Sequence, residues 1–417
     1  MKAIHAYFLL EGGQSFGMAV VWTLATMYFV EALRLDPLQL VLLGTALEAA
    51  YFVTEIPTGV VADVYSRRLS ILIGLALLGG SFVVAGLVGD FSLLIATQIG
   101  AGIGFTFLSG ATSAWLAGEI GEAAVGPAVI RAGQIGRVAG IAGALVSAAL
   151  AGLALNLPLL VGGLLLVGLA GVLAMGMPER GFKPHAPGGE GPWTRTWRGL
   201  RLGAAAVRAA PLLLMLCGLE VFMGASAEGV DRLGDAHLLT NFTFPALGGL
   251  SAGYWFAALR IAGALLTIVV VEPLRPRLER LTQRPTTVAY GLLAFDGLTV
   301  VAVALLAVAG NFWAAAGALL LRTVAFGLGD PLIQAWLVQN TKPETRATAL
   351  SFVGQAHAFG EMAGGPGVGW IGSTFGLRTA LLVAAVLLAP ALPFYLVAAR
   401  RSPEAEVAPA GLETVDL

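Results

Sequence analysis

One cysteine in 417 residues, Cys217, leaves no partner for an internal disulfide and no thiolate set for a metal site. The four histidines, His5, His185, His237 and His357, are scattered without zinc-type spacing, so no metal centre is expected. Charge is scarce as well. Asp, Glu, Lys and Arg make up 12% of the chain, where a soluble domain carries about 25%. With 24 basic residues against 25 acidic ones, the chain has no basic excess with which to meet a nucleic acid. Catalytic signatures are missing too: no G-x-S-x-G, H-E-x-x-H or P-loop pattern occurs. The stretch "GAGIG" at Gly100–Gly104 lies inside an apolar run with no strand before it, which reads as helix packing rather than nucleotide binding. No sizeable soluble segment is present to serve as a receptor domain. Neither enzymatic activity, with its catalytic residues, nor a bound cofactor is expected.

What the chain has instead is apolar length. Hydrophobic residues make up 57% of it, and its mean hydropathy is +0.84. This is the composition of an all-α polytopic membrane protein. A bilayer core needs roughly 20 mainly apolar residues per helix. Twelve segments qualify: 4–30, 38–61, 69–89, 91–117, 127–153, 158–177, 211–230, 246–271, 286–309, 312–338, 347–371 and 378–399. The first has no small-residue cleavage site after a short apolar stretch, so it reads as a spanning helix rather than a signal peptide. The seventh, "CGLEVFMGASAEGVDRLGDAH", turns polar early and is expected to break or end within the membrane.

Loop charge orients the spans. With the N-terminus inside, seventeen Lys and Arg residues fall on the cytoplasmic side and only Arg34, Arg232 and Arg378 outside, which predicts both termini in the cytoplasm. The longest polar interruption, 178–211, is rich in Pro and Gly at first. Trp193, Trp197 and Leu200 then share a helical face with arginines between them, as in a helix lying on the membrane surface. An internal repeat matches this division. "AWL" at Ala114–Leu116 returns at Ala335–Leu337, Gly133-Gln134 at Gly354-Gln355, Phe105 at Phe326 and Ala142-Gly143 at Ala363-Gly364, all displaced by 221 residues. The chain therefore divides into a six-helix bundle over 1–180, a cytoplasmic linker with an interfacial helix over 181–210, a second six-helix bundle over 211–400 and a tail over 401–417. Related bundles of this kind hold a substrate site between them near the midplane and rock about it.

Between the second and third spans the sequence reads "PTGVVADVYSRR". Its Gly59, Asp63, Arg67 and Arg68, in the order G-x-x-x-D-x-x-x-R-R, resemble the signature loop of the major facilitator superfamily. Twelve spans in two pseudo-symmetric halves extend the likeness over nearly the whole chain. "GIGFTFLSGATSAWLAGE" and "RATALSFVGQ" look like bacterial drug and metabolite exporters of that group. The resemblance implies alternating access, a prokaryotic inner-membrane location, spans 1, 4, 7 and 10 around the centre, and a loop that latches the outward-facing state. Glu55 is expected to join that latch, and Gly59 to permit close helix approach. Departures include Val64 in place of a basic residue, Ser66 in place of glycine, and Ile141 where the antiporter motif of span 5 has proline.

Eight acids fall inside the spans, Glu11, Glu48, Glu55, Glu220, Glu228, Asp296, Asp330 and Glu361, against Arg131, Arg137, Arg260 and Arg322. Ionisable residues in the membrane are costly and mark function by default. A carboxylate without a base in low dielectric takes up a proton, and a cavity with surplus acid suits a cation. By depth and by the spans that line the centre, Glu11, Glu48, Glu220, Arg137, Arg260 and Arg322 are the candidates for proton coupling or substrate binding. Glu11 and Glu220 read as counterparts, and Arg260 as a partner for Glu48. His357 and Glu361, four apart on one helical face, form a candidate relay. Asp296, on an outer-type span, reads as structural. Trp115, Phe105, Trp255, Phe326 and Trp336 could wall a site for a lipophilic ligand. The expectation is a monomeric transporter that uses the proton gradient to export a small amphipathic or cationic molecule. Uptake of a nutrient or lipid-like metabolite by symport or facilitation is the alternative.

Overall fold

A chain that crosses a bilayer must satisfy its backbone hydrogen bonds internally, and helices do so. The computed structural model describes residues 1–182, 192–246, 251–282, 284–339, 341 and 346–401. Among these no strand occurs. The first half comprises α1 (Ala3–Trp22), α2 (Ala25–Met27) and a π-helical turn (Tyr28–Ala32), then α3 (Pro37–Val64), α4 (Arg67–Leu87), α5 (Phe91–Ile120), α6 (Glu122–Ala151) and α7 (Leu157–Gly176). Helix α8 (Pro192–Ala209) leads into α9 (Pro211–Asn241), α10 (Ala252–Leu281), α11 (Pro285–Val308), α12 (Phe312–Gln339), α13 (Arg346–Phe375), α14 (Leu377–Leu388) and α15 (Ala391–Arg401). Among the described residues eleven segments are long and apolar enough to span, with α1 continued through Ala32 and α14 joined to α15. The twelfth, α13, has the length but carries His357 and Glu361 at its centre.

Local chemistry sets the helix starts. Asp36 accepts from Gln39 N and its own N–H donates to the Gln39 side chain, a capping box with Pro37 in the first turn. Ser66 and Asp90 cap α4 and α5 by accepting from Leu69 N and Leu93 N through their side chains. Small residues then let helices meet backbone to backbone. A Cβ built on Gly79 of α4 would sit 2.5 Å from Gly163 O of α7, and one on Gly163 would sit 2.6 Å from Gly79 O.

The two halves pack alike. Helix α1 lies on α6 and α7, as α9 lies on α13 and α14, while α4 lies on α5 as α11 does on α12. The repeat is visible at single residues. Gly143 faces Phe16 O, and Gly364, 221 residues later, faces Ala225, 209 residues after Phe16. Glu11 and Glu220 are also 209 apart, so they occupy matching places on α1 and α9.

One expectation needs correction. The seventh span neither breaks nor ends near 230: α9 is one helix of 31 residues. Arg232, counted among the outer loop charges, is therefore inside the bundle. Expectations that fall on 183–191 or 402–417 lie outside the described residues, as do the side chains of Trp193 and Leu200.

The halves touch most along α3, which crosses α13 and α9, and along α6 against α10. We call the face with the α3–α4 turn the linker face and the opposite one the far face. At the far face Ser373 Oγ donates to Asp36 Oδ1 at 3.0 Å and accepts from Leu38 N at 2.9 Å. Arg260 Nη2 donates to Trp22 O at 3.3 Å. The far face is closed.

Candidate functional site

A cavity of about 540 Å³ lies between the halves, from mid-membrane toward the linker face. Helix α3 contributes Glu48, Tyr51 and Glu55, spaced so that one face of the helix presents all three. Helix α9 supplies Glu220, α13 supplies His357 and Glu361, and α12 supplies Phe326, Asp330 and Gln334. Asp296 and Tyr395 close the side toward α11 and α15, and Tyr395 donates its hydroxyl to Asp296. Among the described residues six carboxyl groups line a space in which His357 is the one lining base.

The central groups form a continuous row. His357 Nδ1 lies 2.8 Å from Glu220 Oε2, and its Nε2 lies 3.6 Å from Glu361 Oε1. An imidazole that faces a carboxylate from each nitrogen can donate to both only as the imidazolium. Glu361 and Glu48 are neighbours on the cavity wall, across the interface between halves. Two carboxyl groups can bond to each other only when one of them holds a proton. On the far side of Glu48, buried Glu228 accepts from Arg232 Nε at 3.1 Å. The guanidinium of Arg232 stands 5.2 Å over the Trp22 ring of the first half. Four carboxyl groups, Glu48, Glu220, Glu228 and Glu361, thus share two bases.

The structure brings together Glu48, Glu55, Glu220, His357 and Glu361, but disperses the other candidates. Arg260, expected near Glu48, pairs instead with Asp235 at 3.6 Å. Arg322 binds Asp231 at 2.7 Å, beside an adjoining cavity of about 300 Å³ that shares Met223, Phe326, His357 and Glu361 with the first. Arg137 joins Glu272 at 3.6 Å, an exposed pair between α6 and α10. Glu11 lines neither cavity, and among the described residues no ion pair reaches it. The repeat explains why. Where the second half has His357 and Glu361, the first has Gly136 and Gly140, each 221 positions earlier. Asp296, read as structural, lines the cavity while bonded to Tyr395.

Of the five aromatics, Phe326 lines both cavities. Trp115 is buried and donates to Pro178 O at 2.8 Å, and Trp255 donates to Pro245 O at 3.1 Å. Asp231, Arg232 and Asp235 were not candidates, because the polar end of α9 reads as loop when hydropathy alone is followed. Their spacing of three and four along a helix was the available signal.

Among the described residues, the hydrogen bonds of the two loop arginines stay within their own half. Arg67 Nη1 donates to Ala114 O at 2.8 Å and its guanidinium lies 5.9 Å over the Phe182 ring. Arg68 donates through Nη2 to Ala174 O and through its backbone N–H to Glu179 at 2.9 Å. Asp63 is exposed, and among the described residues no hydrogen bond or ion pair joins it to the second half. Gly59, expected at a close helix contact, has open space where a Cβ would lie. Glu55, expected in the latch, accepts a hydrogen bond from Gln355 of α13 in the second half. The far face is thus closed, while the cavity extends from mid-membrane toward the linker face.

Neither a family model nor a curated protein matches the chain. Solved structures do. The nucleoside transporter NupG superposes with a TM-score of 0.78 at 15% identity, covering 95% of this chain and 99% of that one. A bacterial homologue of the human lysosomal transporter Spinster, in an inward-facing and unoccupied conformation, gives 0.72 at 17% identity over 95% and 96% of the two chains. A POT family transporter in complex with 5-aminolevulinic acid gives 0.71 at 14% identity over 96% of each. The chain has the major facilitator fold. It is a multi-pass integral membrane protein, and the three structures named are membrane transporters.

Proposed function

We propose that this protein is a secondary active transporter that works by alternating access and exports a small amphipathic or cationic compound in exchange for protons. The observation that carries the reading is the row Glu48, Glu361, His357, Glu220, which crosses from the first half to the second on the wall of the cavity. Opening the far face separates Glu48 from Glu361. A proton held between them then has to be released or assigned to one side, so proton occupancy and conformation are linked. A cation entering an acid-lined cavity competes for the same carboxylates, which is the condition for exchange.

A membrane potential supplies about 2.3 kcal/mol per charge per 100 mV, enough to drive accumulation for each proton exchanged. The excess of basic residues in the loops of the linker face supports a cytoplasmic linker face and cytoplasmic termini. The protein acts as a monomer in an inner membrane of a prokaryotic cell.

The test uses the full chain in liposomes loaded with a pH-sensitive dye, with tetraphenylphosphonium and ethidium as probe cations. An imposed pH gradient should drive cation movement against proton flow, and Glu48→Gln, Glu361→Gln and Glu220→Gln should each uncouple the two. Coupling preserved in all three variants would refute the assignment. Uptake stimulated by an inward proton gradient would establish symport instead.

A further inference from the structure

A second, apolar groove of about 570 Å³ lies beside the central cavity, where α3 and α13 meet α8 and α9. Phe52, Ile56, Val221, Phe352 and Phe359 supply its walls. Ile56, Phe359 and Trp197 are exposed at its mouth, on the outside of the bundle, where a membrane protein faces lipid rather than water. The groove and the central cavity share Glu55 and Ser351. Between the two spaces stands the hydrogen bond from Gln355 to Glu55, which joins one half of the molecule to the other.

Among the described residues Glu55 is the one acid on the groove wall, and its bonded partner there is a neutral amide. The one base among the described lining residues, Arg201, is held at the rim 5.7 Å over the Trp197 ring. Apolar walls, a single carboxylate at the inner end and a lipid-facing mouth fit one kind of occupant. We propose that the groove is a lateral portal through which a single-chain amphiphile with a cationic head passes from the lipid on the linker face into the central cavity. Its alkyl chain lies along Phe52, Phe352 and Phe359 while its head displaces Gln355 from Glu55. This inference rests on the export reading above, and it names both the substrate class and the route. A volume of this size is within the range of small-molecule sites.

Cys217 lines the groove and is the chain's one cysteine, which makes it a built-in reporter. The test measures modification of Cys217 by lipid-soluble N-phenylmaleimide in proteoliposomes of the unaltered protein. Dodecyltrimethylammonium should slow the reaction severalfold and tetramethylammonium should not. Glu55→Gln should abolish the protection, and Ala356→Trp, which fills the groove from a different position, should do the same. Absence of protection by dodecyltrimethylammonium would overturn the proposal. So would equal protection by tetramethylammonium, which would indicate access from water, or stronger protection by dodecyl phosphate, which would indicate an anionic lipid. Lost protection with proton-coupled flux intact refutes the portal alone, whereas protection without proton coupling refutes the antiport reading alone.

Discussion

Gly44 of α3 is a position at which one methyl group would press on a contact between the halves. A Cβ built there collides with Glu228 Oε1 and Arg232 Nε of α9, in the other half of the molecule. To admit it, the carboxylate must leave its 3.1 Å bond to Arg232, or α3 must withdraw from α9. A hydrogen bond between charged groups contributes about 1.5–3 kcal/mol, and about 1.4 kcal/mol is tenfold in an equilibrium constant. Gly44→Ala should therefore shift the conformational equilibrium roughly 10- to 100-fold away from the far-face-closed state. Spin labels at Leu35→Cys and Phe375→Cys, in a Cys217→Ser background, report the far-face separation by pulsed electron resonance. The distance distribution should gain a longer component in Gly44→Ala. It should not in Gly80→Ala, where a Cβ meets open space. An unchanged distribution in a folded Gly44→Ala protein would show that the halves do not meet through this contact.

Arg232→Leu leaves Glu228 buried without its base and should cost about 3–5 kcal/mol of stability, with Arg232→Leu/Glu228→Leu recovering most of it by thermal unfolding. Full stability of the single variant would contradict the pairing. Arg137→Ala removes one partner of an exposed pair, worth at most about 1 kcal/mol, and should leave cation flux within twofold of the parent. His357→Gln keeps the size and loses the imidazolium, so it should uncouple proton and cation fluxes while both continue; tight coupling in that variant would remove His357 from the row. If the signature loop acts in the opposite conformation, as the resemblance implies, Asp63→Asn should narrow the far-face distances rather than widen them.

The architecture was readable because its signals are local. Apolar runs of membrane length and loop charge each speak for themselves, Glu48 and Glu220 stood out as charges placed deep in spans, and His357 and Glu361 as a pair four apart on one helical face. The polar end of α9 misled for the opposite reason. Asp231 and Asp235 look like loop until Arg322 and Arg260, about 91 and 25 residues away, are seen to neutralise them. Charge pairing across helices does not register in a hydropathy profile. The same limit applied to Arg260 and Glu48, where equal depth suggested a contact that the helix faces do not permit. Glu11 was matched correctly to Glu220 in position, but the histidine that gives Glu220 its role has become Gly136 in the first half.

The central claim is that a proton is shared between Glu48 of one half and Glu361 of the other, and that it leaves when the cavity binds a cation. Infrared difference spectroscopy of the reconstituted protein on addition of tetraphenylphosphonium tests it directly. The account predicts that a protonated-carboxyl band is lost on binding and is missing from both Glu48→Gln and Glu361→Gln. A band that ignores the ligand, or persists in both variants, would contradict it.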